Sequence, residues 1–160
     1  MNRKVKDDEH VARILKSVWL YDGVVSPAAF HLRPSIKESY VSVLREDMDS
    51  FQNDLKKVTH DKNGSYMSMS VSDLHQLTVP TLEDKVLFHV LEQPSNSLPS
   101  HAGIYIKIND QYLVGGEPFE SLAVKKGIPE ASVLLEIKRA LADLGKKNII
   151  QFSISSSENQ

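Results

Sequence analysis

The sequence contains no cysteine. Without a thiol there can be no disulfide framework, no thiolate zinc site, no iron–sulfur cluster and no cysteine nucleophile. A long apolar run is also missing, because the charged stretch from Met1 to His10 is not followed by one. The sequence therefore predicts neither a signal peptide nor a transmembrane helix, and we expect a cytoplasmic protein without membrane contact.

A strong charge of one sign is missing as well. The chain carries 19 Lys and Arg against 21 Asp and Glu, which gives a formal net charge of −2. This balance argues against bulk nucleic-acid binding, so any site for an anion must be a local one. It leaves the partner open between an unidentified protein and a small anionic ligand, and it does not define the oligomeric state.

Cofactor and metal motifs are absent too. The one pair of adjacent glycines, Gly115 and Gly116, is not followed by the Lys-Ser/Thr of a phosphate-binding loop and does not fit a dinucleotide fingerprint. No two of the six histidines have the spacing of a zinc-binding helix. We therefore predict no cofactor and no metal site.

What is present is the composition of an ordinary domain. The 160 residues are 41% hydrophobic, and a chain of this length buries about 70% of its unfolded surface in one core. We assign residues 1–154 to a single globular domain and the polar residues 155–160 to a flexible tail. Strand and helix patterns alternate irregularly, which predicts an α+β fold with a mixed or mainly antiparallel sheet packed by about three helices.

The individual elements follow from periodicity. Apolar residues at helical spacing predict a first helix over 8–20. A second helix carries Phe51, Leu55 and Val58 on one face, and the longest helix begins at Pro129 and ends before Gly145. Strands are predicted over 65–70, 85–92 and 149–154, and hairpins near 28–45 and 101–114.

The first hairpin supplies one candidate site. His31 and Arg33 fall on one face of its first strand, and Ser42 on the partner strand lies near them in this interpretation. Arg offers a planar fork of donors, His a proton that switches near neutral pH, and Ser a hydroxyl. The set suits an anion such as a phosphate, although a solvated sheet face is the simpler alternative.

The second candidate is His101, which follows a loop with two prolines and opens a strand. The segment from Pro99 to Ile106 resembles the histidine-bearing strand of the NlpC/P60 papain-like hydrolases and their lecithin:retinol acyltransferase relatives. The resemblance implies that His101 is a general base. The cysteine nucleophile of those enzymes has no counterpart here, so the resemblance implies either an inactive descendant or coincidence.

Two functions remain open from the sequence. The first is a binding or interaction module without catalysis. The second is a small hydrolase or transferase that acts on a nucleotide or another phosphorylated substrate. In the second, Arg33 binds the anion, His31 or His101 moves protons, and Ser42 orients or attacks. Convergence of these four residues on one pocket would favour an active or binding site.

Overall fold

The computed structural model describes residues 2–59, 63–115 and 130–153. The predicted tail at 155–160 and the predicted helix start at Pro129 lie outside the described residues. The helices are α1 (Phe51–Val58), α2 (Val71–Gln76) and α3 (Glu130–Gly145). The strands are β1 (His10–Leu15), β2 (Leu20–Tyr21), β3 (Val24–Val25), β4 (Val41–Arg45), β5 (Asn63–Ser70), β6 (Val86–Glu92), β7 (His101–Ile108), β8 (Gln111–Tyr112) and β9 (Ile149–Ser153).

Seven of these strands form one sheet, which confirms the predicted α+β class. Six run in the order β6-β7-β4-β1-β5-β9, and the short β8 pairs with β7. Every pair in the sheet is antiparallel. The remaining two strands, β2 and β3, form a separate ribbon. Within the described ranges, no helix is long and apolar enough to cross a bilayer.

The sheet has an apolar core on each face, and the two cores differ in size. The larger core joins Ile104 of β7 and Phe88 of β6 to Ile137 of α3. The smaller core lies on the opposite face, where Phe51 of α1 and Tyr66 of β5 pack edge to face, with ring centroids 5.6 Å apart. The strands between them are therefore buried on both sides, as is usual for the centre of a sheet covered by helices.

The predicted helix over 8–20 is wrong. The segment instead contains β1, followed by a 3-10 turn over Ser17–Trp19. Val11 and Leu15 face the larger core, whereas Ala12 belongs to the smaller one. A strand that is apolar on both faces loses its two-residue alternation, and its apolar positions then imitate helical spacing.

The predicted hairpin near 28–45 is also wrong, because only its second half is a strand. Pro27–Phe30 forms a 3-10 turn that Ser26 caps, and Pro34–Ile36 forms another. Proline has no backbone N–H to give to a sheet, and its fixed φ suits the start of a helical turn. The strand over 41–45 pairs with β1 and β7 instead.

The predictions for the rest of the described chain are confirmed within a few residues. These include α1 and the strands β5, β6 and β9. The hairpin of β7 and β8 is present as well, and its two turn residues, Asn109 and Asp110, have φ values of 49° and 71°. Positive φ at both central residues is the geometry that two-residue hairpins favour, and Asn and Asp tolerate it.

A glycine on β7 shapes the face of the sheet that carries His101. A Cβ atom at Gly103 would lie 2.5 Å from the Tyr40 ring, so the ring rests directly on the strand backbone. The ring centroids of Tyr40 and His101 are 5.8 Å apart. Gly103 thereby allows an aromatic side chain to pack beside the histidine.

We expect Gly103→Ala to destabilise the protein by about 1–3 kcal/mol, because the added methyl group overpacks this contact. Most of that cost should disappear in a Tyr40→Ala background, where the ring is gone. Urea unfolding of the parent, both single variants and the double variant measures the coupling. If Gly103→Ala lowers the free energy of unfolding equally with Tyr40 present and with Tyr40→Ala, the contact between Gly103 and the Tyr40 ring is contradicted.

Candidate functional site

The site begins with a break in the sheet beside Arg13. β1 pairs with β5 over six residues but with β4 over only two, Val11 with Arg45 and Ala12 with Leu44. Beyond those pairs β4 receives a hydrogen bond from a side chain and not from the backbone of β1. The donor is Arg13 Nη1, which lies 2.9 Å from the Ser42 carbonyl oxygen. Its Nε donates to the Ala29 carbonyl oxygen at 3.0 Å, so one side chain satisfies two carbonyl groups.

A cleft of about 640 Å³ opens where β1 and β4 separate, and we call it the cationic cleft. Its size falls within the usual range of ligand pockets. All four residues singled out in the sequence, His31, Arg33, Ser42 and His101, line it. The three outer walls come from the 31–38 loop, from the start of β7 and from Thr59 after α1. The convergence required for a shared site is therefore present.

The 31–38 loop is held in place by backbone contacts with Gly115 and by hydrogen bonds between Arg33 and Glu38. The Gly115 N–H donates to the Glu38 carbonyl oxygen at 2.9 Å. A Cβ atom at Gly115 would lie 2.8 Å from the Arg33 carbonyl oxygen, so glycine lets the two backbone segments approach. The Glu38 carboxylate binds Arg33 twice, accepting from the backbone N–H at 3.1 Å and from Nη2 at 3.0 Å. Arg33 is thus held in place while 65% of its side chain remains exposed.

The cleft is positive although the whole chain is slightly negative. Arg13, Lys16 and Arg33 line it, against the single carboxylate of Glu38 among the described lining residues. Arg13 and Lys16 both lie over the Trp19 ring, with Cζ and Nζ 5.4 Å and 5.0 Å from its centroid. Burial lowers the pKa of Arg13 to about 10, which still leaves it charged at neutral pH. The local field favours an anion.

The two histidines of the cleft have opposite proton arrangements. His31 Nδ1 lies 2.9 Å from Lys138 Nζ, and because an ammonium group only donates, this nitrogen accepts and Nε2 carries the proton. His101 Nδ1 lies 3.0 Å from the Gln93 carbonyl oxygen, which only accepts, so Nδ1 carries the proton and Nε2 has the lone pair. Burial lowers the pKa of both, and the charge of Lys138 lowers that of His31 further.

Ser42 and His101 lie on the same face of neighbouring strands. The register pairs Ser42 with Gly103 and Leu44 with His101, so the serine and the histidine are diagonal neighbours. Diagonal neighbours in an antiparallel pair are separated by about 7–8 Å at Cα, which is within reach of an aromatic side chain such as histidine.

His101 owes its position to a buried carboxylate in α1. Asp54 is 1% exposed, and its Oδ2 accepts from the Ser100 N–H at 2.9 Å and from the Ser100 hydroxyl. The Ser50 hydroxyl donates to the same oxygen at 3.1 Å. Burial raises the pKa of Asp54, but these hydrogen bonds outweigh it and the net shift is downward from 3.8. The carboxylate therefore fixes the residue immediately before His101.

Several residues of the cleft were not identified in the sequence. Arg13 and Lys16 lie in the segment read as a helix, where a charged side chain looks like part of a solvated face. Glu38 lies in the turn predicted between two strands. The hydroxyl of Thr59 is buried and has no hydrogen-bond partner among the described residues. One signal could have identified Arg13 as a residue of the cleft: it is a basic residue between the apolar residues Ala12 and Ile14, in a strand that is buried on both faces.

Comparisons of the chain with protein-family models, curated proteins and solved structures find no match. The resemblance of the His101 strand to NlpC/P60 hydrolases therefore stays limited to the residues that carry it. The structure does place His101 at the start of a strand. Within residues 2–59, 63–115 and 130–153, no group of three or more His, Asp or Glu side chains is placed to hold a metal ion.

We expect Asp54→Asn to destabilise the protein by about 1–3 kcal/mol at pH 7, because a buried charge-assisted network is lost. The pKa of Asp54 is lowered in the folded state, so its contribution is fully present above 3.8 and is lost as pH falls through the folded-state pKa. The parent and the variant should therefore converge in stability at strongly acidic pH.

Urea unfolding between pH 7 and pH 2.5 measures this convergence. Asp49→Asn is the matched control, since Asp49 precedes the same helix and is exposed. A difference between parent and Asp54→Asn that stays constant across this pH range would show that the charge of Asp54 is not the stabilising element.

Proposed function

We propose that the protein binds a small anionic ligand of the phosphate type in the cationic cleft. The observation that carries this proposal is the convergence of Arg33, His31, Ser42 and His101 on one cleft whose lining is positive. The function is thus that of a binding module with a small-molecule ligand. A cytoplasmic location, expected from the sequence, fits such a ligand and remains part of the proposal.

The donors of the cleft match the oxygens of a phosphate group. Arg33 presents a planar fork of N–H donors, and fork geometry favours phosphate and carboxylate groups. The carboxylate of Glu38 holds Arg33 in place, and 65% of the Arg33 side chain remains exposed. His31 adds an N–H at Nε2, since Lys138 occupies its other ring nitrogen. A neutral histidine donor beside a cation binds an anion without adding charge to the empty cleft.

We expect Arg33→Ala to weaken binding of inorganic pyrophosphate about tenfold, because a charge-assisted hydrogen bond contributes about 1.5–3 kcal/mol. Glu38→Gln should strengthen binding about two- to fivefold, since it removes the one carboxylate but keeps an acceptor for the Arg33 N–H. Isothermal titration calorimetry without divalent cations measures both changes.

Arg139→Ala is the matched control for these variants. Arg139 lies on α3, pairs with Glu136 and does not line the cleft, yet its removal changes the net charge by the same amount as removal of Arg33. Pyrophosphate that does not bind the parent protein, or that binds Arg33→Ala and Arg139→Ala equally, would contradict the proposal.

Catalysis on a phosphorylated substrate is the second candidate, and the two histidines favour it. His31 presents a proton at Nε2 and His101 a lone pair at Nε2, and both line the cationic cleft. His101 thus offers the lone pair of a general base, and His31 offers an N–H donor that stabilises negative charge developing on the substrate during hydrolysis or group transfer. Ser42 would act as nucleophile or as an orienting hydroxyl between them.

We expect this candidate to show as phosphatase or phosphotransferase activity on a panel of nucleotides. His101→Ala should reduce kcat by about 10²–10⁴-fold, the usual contribution of a general base. His31→Ala should reduce it by about 10²–10³-fold, the usual contribution of a hydrogen-bond donor to developing charge. Tyr112→Phe, outside the cleft, serves as the control. A parent protein without activity, or activity that survives both histidine substitutions, would leave ligand binding as the function.

A further inference from the structure

The chain ahead of β1 lies along the outer edge of β6, which is an end strand of the sheet. The Val5 N–H donates to the Val90 carbonyl oxygen at 2.9 Å, and the Glu92 N–H donates to the Arg3 carbonyl oxygen at 2.8 Å. We call residues 3–7 the strap, because they cover a strand edge that would otherwise present unpaired backbone groups.

A side chain completes the pairing between the strap and β6. Val5 lies opposite Val90, and such residues exchange two backbone hydrogen bonds in a regular antiparallel ladder. The Val5 N–H supplies one of these bonds, but the Val90 N–H donates to Nε2 of His75 at 3.1 Å. Since His75 lies on α2, the helix places an imidazole ring between the strap and the edge of the sheet.

The strap also binds the other ring nitrogen of His75. Nδ1 lies 2.6 Å from Oδ1 of Asp7, and because a carboxylate only accepts, Nδ1 carries the proton. Nε2 accepts from Val90 and therefore has the lone pair. A second proton, on Nε2, would point at the Val90 N–H. The two contacts together therefore require the neutral imidazole.

Asp7 and Val90 have opposite effects on the protonation of His75. The Asp7 carboxylate favours the protonated ring, but its side chain is 69% exposed, and ion pairs at such positions contribute little. Val90 is fully buried, so its N–H is costly to leave without an acceptor. The contact with Val90 is therefore the stronger of the two, and it is the one that protonation removes.

The other charged groups around His75 give no net support to its protonation. On β6 the His89 ring lies 6.3 Å away, and burial together with the charges of Lys4 and Lys107 lowers the pKa of His89. A proton on His75 would add a charge to a group that already holds two cations. Asp73 of α2 is exposed and, two residues before His75, lies on a different side of the helix. β5, which packs against α2, has no charged residue. The remaining charged residues over 3–9, two of each sign, are Arg3, Lys6, Asp8 and Glu9.

We propose that His75 makes the strap sensitive to acid. The neutral imidazole binds the strap to the edge of β6, and protonation of Nε2 releases the Val90 N–H and with it the strap. The strap is therefore closed at slightly alkaline pH and opens as the pH falls through the range in which histidine side chains protonate. This inference does not depend on the proposed function, because no residue of the strap, of α2 or of β6 lines the cationic cleft.

Amide hydrogen exchange of the full chain, followed by NMR and corrected for the intrinsic effect of pH on exchange, tests the strap. Between pH 7.5 and pH 5.5 the protection of the Val5 and Val90 amides should fall about tenfold, because one buried hydrogen bond is lost. The amides of β7 should keep their protection. If β7 loses protection over the same range, the whole sheet unfolds and a local release is contradicted.

Two variants identify the group that titrates. His75→Gln keeps an acceptor for the Val90 N–H and a donor for Asp7 but does not titrate, so protection of Val90 should become independent of pH. Asp7→Asn keeps an acceptor for Nδ1 and removes the charge that favours the protonated ring, so release should move to lower pH.

His10→Gln is the matched control, because it removes an exposed histidine at the start of β1 and should leave the release unchanged. Protection of Val5 and Val90 that is equal at both pH values in the parent protein would overturn the inference. A pH dependence that survives His75→Gln would overturn it as well, since another group would then be the one that titrates.

Discussion

The hydrogen bond from Arg13 to the Ser42 carbonyl oxygen is the contact on which the rest of the site depends. A sheet continues as long as neighbouring strands exchange backbone hydrogen bonds, and here a side chain replaces one strand as the donor. The replacement satisfies the carbonyl group, which would otherwise be costly to leave unpaired. It also separates β1 from β4 and leaves room for a cleft in the middle of an otherwise regular sheet.

The same guanidinium links the fold to the electrostatics of the site. Its second hydrogen bond holds the Pro27–Phe30 turn through Ala29, and that turn leads directly into His31 and Arg33. Because the guanidinium that donates to both carbonyl groups also carries a positive charge, the positive field of the cleft is built into the fold. The positive charge of the cleft and the opening of the sheet therefore have one structural origin.

The sequence predicts the elements with local signals and misses those determined by long-range packing. The turn at Asn109 and Asp110, the helix of Phe51 and Leu55, and the strand of His101 all have local patterns that the structure confirms. β1 lacks such a pattern because both of its faces are buried. The four site residues were selected from an incorrect hairpin and a short resemblance. They still meet, because the turn held by Arg13 leads into His31 and Arg33, and because Ser42 and His101 lie on the neighbouring inner strands β4 and β7.

The proposed anion binding is coupled to the protonation of His31. In the empty cleft, burial and the nearby cation Lys138 hold the pKa of His31 below its ordinary value, so the imidazole stays neutral. An anion placed beside His31 stabilises the protonated form and opposes both effects. Binding of a phosphate group therefore draws a proton toward His31. Burial and Lys138, which is not one of the cationic residues that line the cleft, therefore keep His31 unprotonated when no anion lies beside it.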